Sequence, residues 1–547
     1  METRRDFIKS ASIGAAGIAA GAAVSASNIA RDAVVSGTAS ASEASQTPEG
    51  YVEGYYSQID WLGEKPEVSE SDITDSLDFD VVVIGSGHSG SQVALAAVEE
   101  GLSVAVVESQ TEEDFTENGS EVGHFNSKYL QEHYGVPQSN IGDVVDEFVK
   151  AGNGQVKPSI IRKYVANSGE MFDHFVEIIQ QSQYSFILDD DAAFLHVNIN
   201  EDGTQNYTNY PIVESGSRSW AGTVMFKIAP GAEDPSGGRR HNGLYMLKAV
   251  IEHAQELGVR YFWGHRGYVL DQNENGDVTG VIAKTPDDTF IRLNASKGVA
   301  VCCGDFSTNP QMTASLLPEL LEWNLRNGMT FEEATESLMG MGRDGYGHRM
   351  CCWAGGRIEE APRATQQAGT AGTQERDIPA GPFGAASFLE LNCKGERFFN
   401  ESDYYSARGA TARQPKGTIA FVTDTQYLKS VAHSGIYHGG PNFGRKSFYD
   451  NIVASFDEAG KTPGEHEVAV ASISFAGKTT IYSANTIEEL AGYLGYEGDA
   501  VTTFVESVNR YNEMCEQGYD DDFGKDPACL IPVDKPPYFG WTGYNQG

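Results

Sequence analysis

DVVVIGSGHSGSQVALAAVEEGLSVAVVE, residues Asp80 to Glu108, is the stretch that decides the fold. The apolar run Val81–Ile84 predicts a strand buried on both faces. It leads into Gly85-Ser86-Gly87-His88-Ser89-Gly90, and a helical pattern carrying Val93, Ala96, Ala97 and Val98 follows. A second apolar strand, Ser103–Val107, ends on Glu108. The order is strand, helix, strand, with GxGxxG at the first turn and an acid at the end of the second strand. Gly85 allows the tight turn, Gly87 lets a pyrophosphate approach the backbone, and Gly90 lets helix and strand pack closely. The helix N-terminus adds N–H groups for the phosphates. Glu108, 18 residues after Gly90, stands where a carboxylate accepts hydrogen bonds from a ribose hydroxyl pair. Ser89 and Ser109 complete the candidate set. A glycine turn alone is a weak signal, but here its structural context is complete. The motif reads as a dinucleotide site and does not by itself separate FAD from NAD.

The chain has 547 residues, enough for two to four domains. Its 77 acids against 39 Lys and Arg give a net charge of −38. Such a field repels nucleic acid and anionic lipid and excludes both as partners. The seven cysteines show no CxxC or CxxCH spacing, so neither a zinc ribbon nor a c-type haem is encoded, and no metal site is expected. Their odd number argues against a disulfide framework.

Thr3-Arg4-Arg5-Asp6-Phe7-Ile8-Lys9, followed by a mildly apolar Ala/Gly/Ile run, is a twin-arginine signal pattern. The apolar run is too short and too weak for a spanning helix. The expectation is a signal peptide over 1–41, export by the twin-arginine translocase, and a place in the periplasm or on the outer face of the cytoplasmic membrane. Residues 42–78, rich in Ala, Ser, Glu and Thr, read as a linker.

Beyond Glu108, helical patterns fall at Val144–Gly152 and Lys157–Gln180, and another opens after Gly237. Arg260–Tyr268 and Asp277–Lys284 alternate as strands joined by the turn Asn273-Glu-Asn-Gly-Asp277. Lys297–Cys303 is a further buried strand, ending on Gly304.

This order resembles the fumarate reductase/flavocytochrome c superfamily of flavoproteins, which includes urocanate reductases and 3-ketosteroid dehydrogenases. The resemblance runs from about Phe79 to Phe539. It implies an α/β fold: a Rossmann-like FAD-binding domain, 79–356, with an inserted α+β capping domain, 357–530. It also implies FAD as the cofactor. Gly304-Asp305-Phe306 stands in place of the family's Gly-Gly-Phe turn against FAD. Asn126 and Ser127 match a second loop that contacts the flavin, without its paired glycines. Arg343-Asp344-Gly345-Tyr346-Gly347-His348 matches the Gly-Asp-Gly loop, with Tyr346 at the usual acid position. The strongest cap match is Leu391-Asn-Cys-Lys-Gly-Glu-Arg-Phe-Phe-Asn-Glu401. Ser483–Gly495 matches a cap helix that Asn485 or Thr486 can cap, and Arg510–Lys525 is a third match.

In such enzymes hydride passes between flavin N5 and one carbon of an activated alkene, while a side chain moves a proton at its neighbour. Counting on from Asn400-Glu401, the position of the fumarate reductases' acidic arginine is Tyr405. The stretches that hold a dicarboxylate have no counterpart between Gly356 and Asn392. Asn400-Glu-Ser-Asp-Tyr-Tyr405 is similar to the ketosteroid dehydrogenases' Asn-Glu-Ser-x-Pro-Tyr. Tyr405 is therefore the candidate proton carrier and Arg408 the group that stabilises its phenolate. Tyr207–Tyr210 and Trp220 are candidates for an apolar substrate wall.

The expected activity is reduction of an activated C=C bond in an enone or acrylate-type substrate. Electrons would come from a separate cytochrome or quinol-linked protein. A 3-ketosteroid-type dehydrogenase and a non-catalytic flavoprotein remnant are the alternatives. The resemblance also places a start of a return to the FAD domain at 531–547 and implies a flavin-binding segment beyond it. The expectation is a fragment or a shifted reading frame that lacks this segment.

Overall fold

The computed structural model describes residues 60–117, 119, 121–136, 138–151, 156–189, 198–199, 205–206, 222–235, 243–317, 330, 333, 343–359, 386–402, 414, 418–432, 446–469 and 478–544. The chain divides into two compact units. The first comprises Met1–Ser120, His174–Ile187 and Lys227–Arg363; the second comprises Glu121–Asp173, Leu188–Phe226 and Ala364–Gly547.

The first unit is built on β1 (Ile73–Ile84), β2 (Val104–Glu108), β3 (Arg260–Trp263), β4 (Arg266–Gln272), β5 (Val278–Lys284) and β6 (Phe290–Val301). They form one sheet in the order β3-β2-β1-β6-β5-β4. The first four of these strands lie parallel, and β5 and β4 continue antiparallel from β6. Alternate residues face opposite ways. Val82, Ile84, Ala105 and Val107 join one core with Leu270, Val281 and Leu293. Val83, Val104 and Val106 join another with the helices His88–Glu99 and Gly243–Glu256. The strand at Val81–Ile84 is thus buried on both faces, as its unbroken apolar run predicts.

Two details differ from the sequence reading. β1 begins at Ile73, so it takes in residues 73–78 that composition assigns to the linker. The polar residues there face solvent while Leu77 and Phe79 pack on the core. The second difference is larger. Arg260–Tyr268, expected as one strand, is two strands at opposite edges of the sheet, broken at Gly264 with φ +69°. Five strand spacings of about 4.8 Å make about 24 Å, whereas the three peptide steps from Trp263 to Arg266 reach about 11 Å. The sheet must therefore curl until its edges approach. A Cβ on Gly267 in β4 would sit 2.5 Å from Ile84 Cγ2 in β1, which marks the closure.

In the second unit the strands β7 (Leu389–Asn392), β8 (Thr418–Thr423), β9 (Gly464–Ala469), β10 (Lys478–Ala484) and β11 (Tyr538–Tyr544) form an antiparallel sheet. Their order is β7-β8-β11-β10-β9. One face packs Phe421, Phe539 and Trp541 against Tyr427, Ile452 and Phe456 of two helices, with Phe421 and Trp541 stacked at 5.4 Å. The other face packs Leu391, Val422 and Ala484 against the helices Ile487–Tyr493 and Asp499–Gln517. Residues 538–544, expected at the start of a return to the FAD domain, are instead the central strand here. Phe539 and Trp541 alternate into the core that Ile419, Phe421, Val468 and Ile481 of the other strands also line, and Gly540 lets Leu490 of the covering helix come close. The helix Ile487–Tyr493 is capped from both sides: Thr486 Oγ1 accepts from Glu489 N at 3.1 Å, and Glu489 Oε2 accepts from Asn485 N, just before the N-cap, at 2.9 Å.

A buried ion cluster anchors the segment Leu391–Glu401. Arg397 donates to Glu401 through Nε at 2.8 Å and Nη2 at 2.7 Å, and to Asp520 through Nη1 at 3.1 Å and Nη2 at 2.7 Å. The Glu401 and Asp520 side chains are wholly buried. Lys525 Nζ donates to Ser387 O at 2.9 Å and Tyr511 Oη at 3.0 Å, and lies 3.6 Å from Glu401 Oε2. Burial opposes ionisation of Asp520, but the Arg397 hydrogen bond and backbone N–H groups more than offset it and hold the carboxyl below its usual range. Glu390 shifts the other way: burial, then the like charge of Glu401, pushes its carboxyl well above the usual range against the pull of Lys525.

Removing one member of such a cluster strands the others without water. Arg397→Met should lower the unfolding free energy of the protein by about 3–5 kcal/mol, read by urea denaturation with tryptophan emission. A loss below about 1 kcal/mol, the value of an exposed pair, would remove the cluster from this role.

Candidate functional site

The first unit holds the dinucleotide turn. Gly85 N donates to Val107 O at 2.8 Å and Cys302 N donates to Ile84 O at 2.7 Å, so three chain segments meet at backbone distance. Gly85 has φ +97°, and a Cβ there would lie 2.4 Å from Cys302 O. A Cβ on Gly90 would lie 1.9 Å from Gly85 O. Neither position admits a side chain. The helix His88–Glu99 starts on Gly87 with no side chain capping it, which leaves its first-turn N–H groups to an anion. Ser89 is exposed at this turn.

Glu108 does more than end its strand. Its Oε2 accepts from Ser86 N at 2.8 Å and its Oε1 from Gln110 N at 2.9 Å and from Ser109 Oγ at 3.3 Å. The carboxylate, buried at 6 % exposure, ties the glycine turn to the end of β2. Oε2, with one donor, keeps a lone pair for a ribose hydroxyl. On the far side, Gly304 has φ +77° and follows the end of β6. Asp305 Oδ1 closes the next turn by accepting from Ser307 N at 2.8 Å and Ser307 Oγ at 2.7 Å. The Arg343–Gly345 loop is bound to that turn: Gly345 N donates to Asp305 O at 3.1 Å and Thr308 N donates to Arg343 O at 3.0 Å.

Two residues that the sequence reading passes over stand at this turn. Glu117 and Gly119 approach it from the segment after β2: a Cβ on Gly87 would meet Glu117 Oε2 at 3.0 Å, and one on Gly119 would meet His88 Nε2 at 3.0 Å. Tyr346 spends its hydroxyl on Tyr268 O at 3.0 Å, and burial pushes its phenol up to about 12. His348 packs edge-on against Phe306 at 5.3 Å, and burial lowers its pKa. The residues present fit an FAD. The glycine cradle, the uncapped helix start and the carboxylate at the end of β2 supply the contacts that its pyrophosphate and ribose need.

Asn126 and Ser127 belong to the second unit, where both side chains serve the fold. Asn126, at φ +60°, exchanges hydrogen bonds with Ser139 at 2.7 and 3.0 Å. Ser127 Oγ donates to Asp173 at 2.6 Å and caps the helix Lys128–Tyr134 by accepting from Leu130 N at 3.1 Å. Beside them His124 is buried, 5.0 Å from the Phe172 ring, with neither ring nitrogen hydrogen-bonded. Burial pushes its imidazole down to about 4. No periodicity marks it, since a histidine in a polar stretch looks exposed. Tyr405, Arg408, Tyr207–Tyr210 and Trp220 lie outside the described residues.

All seven cysteines are free thiols, and burial raises Cys303 to about 12. Among the described residues no group of acids, histidines and cysteines could hold a metal, and no helix is long and apolar enough to cross a membrane.

A family profile described as an FAD binding domain matches residues 80–543. The vinyl phenol reductase of Lactiplantibacillus plantarum is 24% identical over 85% of this chain and 82% of its own length. The 3-oxosteroid 1-dehydrogenase of Mycobacterium tuberculosis is 23% identical over 85% of this chain and 86% of its own. The crystal structure of 3-ketosteroid-Δ4-(5α)-dehydrogenase from Rhodococcus jostii RHA1 with 4-androstene-3,17-dione shares the fold. It has a TM-score of 0.53 and 18% identity, over 88% of this chain and 87% of that one.

Gly90→Ala should remove bound flavin, because its Cβ would displace the Gly85 carbonyl; the absorbance near 450 nm per mole of protein reads this directly, and a retained band would refute the cradle. His124 yields a pH prediction. Its folded pKa, about 4, lies below the ordinary 6.5, so the unfolded chain binds the proton first as pH falls. The stability it contributes is complete above pH 6.5 and declines by about 1.4 kcal/mol per pH unit towards pH 4. His124→Phe should flatten the pH dependence of the urea-unfolding free energy in that window by about one proton; an unchanged slope would show the imidazole is not buried neutral.

Proposed function

This chain belongs to the FAD binding domain family and is an FAD-dependent oxidoreductase acting on C=C or CH–CH bonds; from that premise we propose that it is an exported reductase of an activated C=C bond, fed by a separate electron carrier. The substrate is an enone, an aryl acrylate or a vinyl phenol-like alkene rather than a dicarboxylate. One observation carries the substrate reading. Past Glu401, where a fumarate reductase resembling this chain has its acidic arginine, this chain has Tyr405, and the dicarboxylate-holding stretches are absent between Gly356 and Asn392. The name of the vinyl phenol reductase supports the same substrate class.

Bound FAD, once reduced, supplies the hydride. The remaining work falls to the chain. Glu108 and the glycine turn hold the cofactor's adenosine half. Tyr405 holds the proton for the carbon next to the one that takes the hydride; a phenol of ordinary pKa, about 10, is protonated at neutral pH. Arg408 stabilises the phenolate left behind. One hydride and one proton convert the alkene to the saturated product, and the carrier restores the two electrons. The chain encodes no CxxCH haem site, so a small cytochrome or a quinol-linked protein is the donor. The twin-arginine pattern at Arg4-Arg5 supports export of the folded flavoprotein.

The reverse reaction, dehydrogenation of a 3-ketosteroid-like ketone with Tyr405 in the base, is the second reading. It is favoured by the 3-oxosteroid 1-dehydrogenase relative and by the run Asn400–Tyr405.

Anaerobic turnover of 4-vinylphenol, cinnamates and enones with reduced viologen, set against dye reduction with saturated ketones, separates the two directions. Tyr405→Phe should cut kcat by about 100-fold or more with little change in KM. Full activity in that variant would remove the phenol from the mechanism.

A further inference from the structure

The glycine turn presents N–H groups to an anion, yet the side chain standing against it is itself an anion. Glu117 Oε2 occupies the space beside Gly87, 3.0 Å from where a Cβ would be. The same oxygen accepts from Arg343 Nη2 at 2.9 Å. Arg343 reaches it by passing over Gly304, where a Cβ would lie 2.9 Å from Arg343 Cγ. Its backbone is fixed, because Arg343 O accepts from both Thr308 N at 3.0 Å and Thr308 Oγ1 at 2.7 Å. The Glu117 side chain is mostly buried, at 16 % exposure, while the Arg343 side chain is at 36 %. An ion pair thus joins the two glycines, Gly87 and Gly304, that bound the dinucleotide turn.

A carboxylate at a helix start is favoured while no phosphate is there. Once a pyrophosphate takes the helix-start N–H groups beside it, carboxylate and phosphate repel. The arginine has no such conflict, since its planar fork matches phosphate oxygens at least as well as a carboxylate. In a chain of net charge −38, an arginine without a fixed partner would be drawn to other acids.

We propose that Glu117 is a placeholder for the cofactor's pyrophosphate: it holds the anion position against Gly87 and keeps Arg343 in place, and FAD binding exchanges the carboxylate for the pyrophosphate as the arginine's partner. Glu117 then opposes cofactor binding and Arg343 supports it. The exchange breaks and makes no covalent bond. It rests on the FAD assignment and not on the substrate.

The test is cofactor affinity. Apoprotein of the full chain is titrated with FAD by flavin fluorescence, with ADP as a pyrophosphate probe lacking the flavin, and with adenosine as a probe lacking both. Glu117→Gln should bind FAD and ADP about tenfold tighter at low salt, with the gain shrinking near 0.5 M salt. Arg343→Met should bind both at least about tenfold more weakly, and Arg343→Lys should recover part of the loss. Adenosine affinity should follow neither change. Melting temperatures of the apoproteins report folding, and the isosteric Glu117→Gln carries the test if Arg343→Met does not fold. A Glu117→Gln protein that binds FAD and ADP no tighter than the wild type would overturn the exchange, as would an unchanged Arg343→Met. A wild-type chain that binds neither ligand would overturn the FAD assignment and the placeholder with it.

Discussion

Close approach of bare backbone at Gly85 and Gly90 is the constraint on which the first unit depends. Gly85 N reaches Val107 O, Cys302 N reaches Ile84 O, and the helix start at Gly90 presses on the Gly85 carbonyl. A single methyl group would break this junction. The absence of side chains sets β1, β2 and β6 in register, aims the helix N-terminus, and leaves the concavity in which a pyrophosphate meets N–H groups instead of carbon. Glu108 then holds the turn from below through Ser86 N. The fold and the cofactor site therefore have one cause, and neither could be altered alone.

The second unit meets a different demand. Its sheet is covered by helices on both faces, and five ionisable groups lie in or beside that interior. Bare charges there would cost several kcal/mol each. The cluster stands because Arg397 forks onto two carboxylates, Lys525 finds a carbonyl and a phenol, and burial disfavours a third charge on Glu390. The reward is positional. Glu401 is held at two oxygens, so the chain leaves it towards residue 405 from a fixed start.

What could be read from the sequence was local. The strand, glycine turn, helix and terminal acid span fewer than 30 residues, and each step has a compositional signature. Thr486, one of the two candidate caps, announces its helix in the same way. The rest was hidden for physical reasons. Glu117 and Arg343 lie 226 residues apart, and no period links them. Glu390 sits where alternation calls for an outward polar residue, and only the packing of a second helix layer reveals its burial. In Arg260–Tyr268 a single Gly264 fits a bulge within one strand as well as a turn between two, so the break is not distinguished. Tyr538–Tyr544 belongs to the second unit's sheet because its partners are β8 and β10, which a strand's own composition does not identify.

The two-residue link between β3 and β4 has a consequence for how the first unit comes apart. An open sheet normally frays from its margins, one strand at a time, with its outer amides exchanging first. Here both margins are spliced by Gly264 and His265, whose N–H groups are themselves held by Gln110 O and Glu108 O. Peeling β4 away pulls on β3, and through it on the end of β2 where Glu108 sits. The margins lose their independence, and the sheet behaves mechanically as a ring. Its outer amides should share the slow hydrogen exchange of its centre, and a cofactor gripping the glycine turn would protect the distant antiparallel strands as well as its own neighbours.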